Sequence, residues 1–413
     1  MKKSRIGINV ISIFLFFSLC FNFSGCTMKV NATDLMQGIV PNKVTPTEKM
    51  NDYIVKITDF SIRLFKANNN TLISPVSVLF AIAVTANGAD GETLEQIENM
   101  LGIPIENINL YLYSYLNSLP QGEKYMLNIA NSIWFTDDER FTVNSSFLQK
   151  NADYYSASIY QTPFNRNTCK DINNWISNKT DGMITKIIDK IPSDAVMYLV
   201  NGLAFETEWM QIYEKQQVKE AEFSNSDGTK SKAEFMYSTE LTYLQDENAK
   251  GFMKYYDEGK YAFVAILPDE NTEISDYISS LNGEKIINIL SSRTTETVYT
   301  SIPKFESENN TEMSEALKNM GMKSAFDMYN ADFSKLGSSS HGNIYISNVL
   351  HKTYISVGEK GTKAGAVSII EASDGAAAES EAPKEIYLDR PFMYMIIDCE
   401  NTVPLFIGTV LNM

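Results

Sequence analysis

The sequence predicts an α+β fold, on three observations. Apolar residues recur three or four apart between residues 50 and 118, the spacing of helices packed on a core. After residue 126 short apolar runs bounded by turn residues dominate, the signature of strands. No internal repeat and no second linker interrupts the chain, so residues 48–413 read as one domain. Helices gathered in the first half and strands in the second give α+β rather than an alternating α/β order. With 413 residues, 44% hydrophobic and 21% charged, the chain is globular and long enough for a substantial core.

The helices start near Met50. Tyr53, Ile57, Phe60 and Leu64 line one face of the first. Ser74-Pro75 reads as the start of a second, with Ser as N-cap and Pro in the first turn. Residues 76–85 are almost wholly apolar, which makes this helix central and buried. Leu94, Ile97 and Leu101 mark a third, stopped at Gly102, and residues 111–116 fit a fourth. Residues 126–135, 196–205 and 261–267 are strand candidates. Residues 252–256 and 261–267 bracket Asp257-Glu258-Gly259-Lys260 as a hairpin, and 392–398 with 403–410 form another.

The N-terminus reads as an export signal. Lys2, Lys3 and Arg5 precede an apolar run over residues 6–23, which ends in Phe23-Ser24-Gly25-Cys26. That exit resembles the bacterial lipobox, which implies a signal peptide over 1–25, a lipid on Cys26 and a protein exported to the outer face of the cell membrane. A plain signal peptide or an uncleaved anchor is the competing reading. Residues 26–47 mix Thr, Asn, Pro, Lys and Gly without periodicity and read as a flexible tether.

The net charge of −16 disfavours nucleic acid as a partner, because an acidic surface repels phosphate. The sequence offers no catalytic centre. It has two histidines, His341 and His351, and no CxxC, HExxH or EF-hand pattern, so neither metal nor cofactor is expected. Gly358-x-x-Gly361-Thr362-Lys363 lacks P-loop order. Beyond the signal only Cys169 and Cys399 remain, and two buried free thiols are the expectation. One segment stands apart: residues 371–384 carry no large apolar side chain and so cannot bury themselves. By composition alone this is a surface loop open to proteolysis.

Ordered motifs give that loop a meaning. Gly358-Glu359-Lys360-Gly361-Thr362-Lys363-Ala364-Gly365-Ala366 resembles the hinge of a serpin reactive loop. Asn70-Thr71-Leu72-Ile73-Ser74-Pro75-Val76-Ser77, Asn131-Ser132-Ile133-Trp134-Phe135 and the stretch from Leu199 to Trp209 resemble earlier blocks of that family. Ile302-Pro303-Lys304-Phe305, Asp389-Arg390-Pro391-Phe392 and Pro404-Leu405-Phe406-Ile407-Gly408 resemble later ones. The likeness covers residues 48–413. It implies about nine helices around three β-sheets, a large central sheet able to accept one more strand, and an exposed reactive-centre loop over about 359–386. It further implies an irreversible suicide inhibitor of serine endopeptidases rather than an enzyme. A non-inhibitory surface binding or adhesion module of the same fold is the alternative.

The resemblance also assigns residues. Glu359, Gly361, Thr362, Ala364, Ala366 and Ser368 belong to the loop hinge. Counted from Gly361, Thr362, Ala364, Ala366 and Ser368 would point into the core of the sheet, and all four are small and uncharged. The reactive bond falls at Gly375-Ala376, within a window of residues 372–379 that contains no Arg or Lys. Elastase-like or subtilisin-like serine proteases are therefore the expected partners of a monomer. Ser74, Ser77, Asn201 and His351 match the family's shutter, beneath the centre of the sheet. Trp209, Lys304 and Glu359 match its breach, at the top.

Overall fold

In the computed structural model, Ser74 and Pro75 start the helix around which the rest is arranged. The Ser74 hydroxyl accepts the backbone N–H of Ser77, and all twelve residues from Pro75 to Ala86 are buried. The structure describes residues 28–47, 50–69, 71–119, 126–137, 141–192, 195–340, 342–362 and 382–413. The signal, Cys26, Ala364, Ala366, Ser368, Gly375 and Ala376 therefore lie outside the described residues.

Among the described residues there are nine α-helices: α1 Ile54–Ala67, α2 Pro75–Ala86, α3 Gly91–Leu101, α4 Ile105–Ser118, α5 Ser145–Tyr155, α6 Arg166–Lys179, α7 Ile274–Ser280, α8 Gly283–Ser291 and α9 Ser314–Asn319. The strands of the first half are β1 Thr33–Asp34, β2 Met126–Thr136, β3 Phe141–Val143, β4 Ser158–Thr162 and β5 Met197–Glu208. They continue as β6 Val218–Ser224, β7 Lys230–Asp246, β8 Ala249–Tyr255, β9 Tyr261–Pro268, β10 Thr294–Pro303, β11 Phe305–Glu312 and β12 Gly337–Ser339. The last are β13 Asn348–Gly358, β14 Gly361–Thr362, β15 Lys384–Tyr387, β16 Phe392–Asp398 and β17 Val403–Val410.

Three sheets result, in the mixed α+β arrangement expected. The first has seven strands in the order β1-β4-β2-β5-β14-β13-β11. The second runs β15-β10-β7-β8-β9-β16-β17 with β6 added on β7, and β12 with β3 forms a small third. Helix α2 touches β2, β5 and β17, so the main core lies between the two large sheets. A second cluster, built on Trp134, Trp175, Ile172 and Tyr198, seals α6 against the other face of the first sheet. Strand β13 alternates between buried and half-buried along its length, which aims His351, Thr353 and Val357 at the core. Strand β9 is buried throughout, as a central strand must be.

The expected hairpins form, β8 with β9 and β16 with β17. The tether is a correction. Residues 28–47 lie along the body: Thr33 and Asp34 add a strand to the edge of β4, and Leu35 and Met36 pack on the core. Polar side chains do the rest. Asp153 accepts both the N–H and the side-chain amide of Asn42, Asn178 bonds Met28 at its N–H and C=O, and Asn31 donates to Asp171. Composition misled here because docking runs through hydrogen bonds that leave no apolar period. Cysteine placement differs in detail too. Cys169 is buried within α6 and Cys399 is half-buried, and both are free.

Candidate functional site: a strand gap closed by its own hinge

The site begins with two strands that part. β5 and β13 run parallel and pair directly from Tyr198↔Asn348 to Leu203↔Thr353. Higher up, β14 sits between them. Gly361 and Thr362 pair with Glu208 and Thr207 on one side, and with Gly358 and Val357 on the other. Between the two zones, residues 204–206 and 354–356 form no ladder with each other among the described residues. Gly361 and Thr362 thus lie between β5 and β13 at the end where the two strands do not pair directly.

Glycine is required at 361. Its φ is +150°, and a Cβ would meet the Thr207 carbonyl oxygen at 2.2 Å. Thr362 then turns inward as the alternation predicts. It is 1% exposed, and its hydroxyl lies 2.6 Å from that of Tyr256.

Ser74, Ser77, Asn201 and His351, the residues matched to the shutter, meet where β5 and β13 still pair, and all are fully buried. The Ser74 N–H donates to Nε2 of His351 at 3.0 Å. That bond requires a bare Nε2, so the neutral ring carries its proton on Nδ1 and donates it to Asn201 Oδ1 at 2.5 Å. Ser77 Oγ donates to the same Asn201 oxygen at 3.3 Å. Burial pushes the His351 pKa down to about 3. The cluster fastens α2 to both strands that would separate.

At the top of the sheet Lys304 joins Glu359 in an ion pair, as the motifs imply. Glu234, 2.9 Å away, is a third member the motifs did not give. Partial burial is the largest influence on the Glu359 carboxyl and pushes it up, but the hydrogen bond from Lys304, a backbone hydrogen bond and the Lys304 charge together outweigh it, holding the group below its usual range. Trp209 closes this end. Its indole N–H donates to Gly358 C=O at 2.8 Å and its backbone N–H to Lys360 C=O at 2.8 Å. The Tyr213 N–H donates to Glu359 C=O at 2.9 Å.

Sequence reasoning missed the layer behind Trp209. Tyr256 stacks on the indole at 4.3 Å between ring centroids. Lys254, 2% exposed, pairs with Glu240 at 2.9 Å. The available signal was a lysine inside the apolar run Phe252-Met253-Lys254-Tyr255-Tyr256.

Comparison with known proteins decides what this arrangement belongs to. The family model for serpins, serine protease inhibitors, matches residues 55–413. The chain is a serpin. Tengpin, a thermophilic serpin, in its native state aligns with TM-score 0.88 and 48% identity, covering 93% of this chain and all of that one. Tengpin in its latent state aligns with TM-score 0.78 and 45% identity, covering 90% of this serpin and all of that chain. An uncharacterized serpin-like protein of Thermococcus kodakarensis is 27% identical over 86% of this chain and 84% of its own. Serpins as a family are protease inhibitors rather than enzymes.

Proposed function

We propose that this serpin is an irreversible suicide inhibitor of serine endopeptidases. The observation that carries the reading is the two-residue strand Gly361–Thr362, seated between β5 and β13 with Thr362 buried. Residues 362–375 number about as many as β5, with 12 residues, and β13, with 11, so a strand continued from Thr362 has flanking partners over most of its length. The hinge carries only small, uncharged inward positions, so continuing costs no buried charge.

In this mechanism the protease's serine Oγ attacks the carbonyl carbon of Gly375 and forms an ester. The Gly375–Ala376 C–N bond breaks, and the amine of Ala376 leaves with a proton. The freed strand then enters the first sheet, carries the tethered protease with it and distorts its active site before water reaches the ester. Small residues across 372–379 favour elastase-like or subtilisin-like enzymes, whose substrate pockets suit small side chains. The exit motif at Cys26 supports an exported protein held by lipid at the cell surface, acting there as a monomer.

The test is incubation of the purified protein with elastase and with subtilisin. A covalent complex that survives detergent and heat is the expected product. Complete cleavage of the loop with no complex from either enzyme would overturn the reading in favour of a binding module.

A further inference from the structure

A lysine buried to 2% exposure needs a reason, because its ammonium must be compensated where water cannot reach. Lys254 leaves β8 behind the breach, and three groups surround its Nζ. Glu240 Oε1 of β7 lies at 2.9 Å, the Tyr213 ring at 4.4 Å and the Trp209 ring at 5.5 Å. Glu240 is itself held, since its Oε1 accepts the Ser238 hydroxyl at 2.7 Å. The Ser238 hydroxyl also lies 3.2 Å from the Tyr213 hydroxyl and 3.1 Å from that of Thr300 on β10. One charge therefore ties β7, β8 and β10 of the second sheet to two aromatic rings.

Those two rings belong to the residues that hold the start of the loop. The Tyr213 N–H carries Glu359 C=O, and the Trp209 N–H carries Lys360 C=O. Trp209 reaches the hinge a second way, through the stacked Tyr256 whose hydroxyl meets Thr362. Lys254 forms no hydrogen bond or ion pair with residues 358–362, yet every hydrogen bond just named passes through a residue it fixes or through that residue's stacking partner.

We propose that Lys254 is a positioning residue for loop insertion, its ammonium clamping Trp209 and Tyr213 so that Gly361–Thr362 stays in register as the nucleus of the incoming strand. This rests on the inhibitory reading above. A strand that zips into a sheet needs its first pairs in place, and Lys254 keeps them there. Loosening the clamp leaves attack by the protease untouched and slows insertion, so more cleavages end in hydrolysis of the ester. Its effect is on the partition between complex and cleaved product, not on the rate of loop cutting.

The experiment uses the full chain as Lys254→Met and as the double variant Lys254→Met/Glu240→Gln, with subtilisin as probe. The single variant leaves Glu240 as a partly buried, unpaired charge and is at risk of unfolding. The double variant removes both charges and keeps comparable volume, a change that buried pairs often tolerate. Two readouts are taken. Hydrogen exchange at the amides of Trp209 and Tyr213 should quicken on the order of tenfold in the double variant, while the Ile407 amide, bonded to Ile73 C=O, keeps its wild-type rate. Complex formed per loop cleaved should fall on the order of tenfold with cleavage rate unchanged. Wild-type exchange at both breach amides, or wild-type partition in the double variant, overturns the proposal and reduces Lys254 to a counter-ion of Glu240. If the wild type gives a complex with elastase alone, elastase replaces subtilisin as probe; if it gives a complex with neither, the inhibitory reading fails by that result, and exchange at the two amides alone decides whether the clamp exists.

Discussion

His351 is a base kept neutral by its position, and this makes its cluster with Ser74 and Asn201 sensitive to acid. The unfolded imidazole titrates near 6.5 and the folded one at about 3. Between those values the unfolded chain binds the extra proton, so stability is full above about pH 6.5 and declines as pH falls toward 3. Each pH unit in that window removes about 1.4 kcal/mol at most. Urea unfolding of the wild type and of His351→Gln, at intervals from pH 8 to pH 4.5, checks this. Above the carboxylate range the wild type should lose stability with acid, and the variant, lower by about 1–2 kcal/mol at pH 8 for the hydrogen bonds it loses, should stay nearly level. Parallel curves would mean that another group carries the acid sensitivity. Glu359 has the same sign in a lower window. Its carboxyl is depressed by Lys304, so its share of stability is present above the ordinary carboxylate pKa and is lost as pH falls through the folded value. Solvent reaches 42% of that side chain, so the pair is worth about 1 kcal/mol or less. Its larger consequence is steric and electrostatic: Glu359→Lys places two ammonium groups together at the top of the slot, beside the hinge. Polymer on size-exclusion chromatography after mild heating is expected, and a variant that stays monomeric like the wild type counts against a role for the pair.

At the scale of elements, β14 is short enough for one atom to decide its fate. Gly361→Ala puts a Cβ against the Thr207 carbonyl at a backbone angle that L-residues rarely adopt, so the hinge should leave the sheet. Thr362→Arg fails differently. It breaks the contact with Tyr256 and asks the sheet to bury an unpaired guanidinium, at a cost of several kcal/mol. Both variants should be cut as fast as the wild type and yield mainly cleaved product on a denaturing gel, and undiminished complex from Thr362→Arg would show that this side chain does not face inward in the inserted strand. The same elements show what a sequence reveals. The meeting of Ser74, Ser77, Asn201 and His351 and the ion pair of Lys304 with Glu359 were legible because each of these residues sits in a run whose order is itself distinctive. Period and capping gave α2, and alternation gave the inward side of Thr362. Lys254 left one local sign, a lysine in an apolar run, but its meeting with Glu240 and Tyr213 was not legible, because the three come together across β7, β8 and a connecting segment. The 28–47 segment was misread for a related reason: Asn31 and Asn42 dock by hydrogen bonds to α6 and α5, and polar composition alone does not distinguish such docking from solvation.

The whole molecule holds an unfinished sheet. In the first sheet β5 and β13 pair directly at only one end, and β14 fills only the other. A full-length strand between them would replace one direct ladder with two and would carry the β-sheet through positions 204–206 and 354–356. What opposes this in the intact chain is connectivity. Thr362 enters the slot at the top, while β15 is fixed to β10 by the parallel register from Val298↔Lys384 to Ser301↔Tyr387. Lys384 lies 22 residue steps beyond Thr362. At about 3.3 Å per residue an inserted run to Gly375 uses roughly 45 Å downward, and the nine residues left from there to Lys384 span only about 30 Å back. The loop can therefore complete the sheet only if it is cut or if β15 lets go. Cutting should release the constraint and give a more stable protein from the same atoms. Calorimetry of the intact serpin and of the serpin nicked between residues 372 and 379 measures the difference. A clear rise in Tm is expected, about 2–4 °C for each kcal/mol gained, because a completed central strand adds a ladder on both sides. If the nicked protein melts with the intact one, the slot between β5 and β13 does not accept the loop, and the inhibitory mechanism has no driving force.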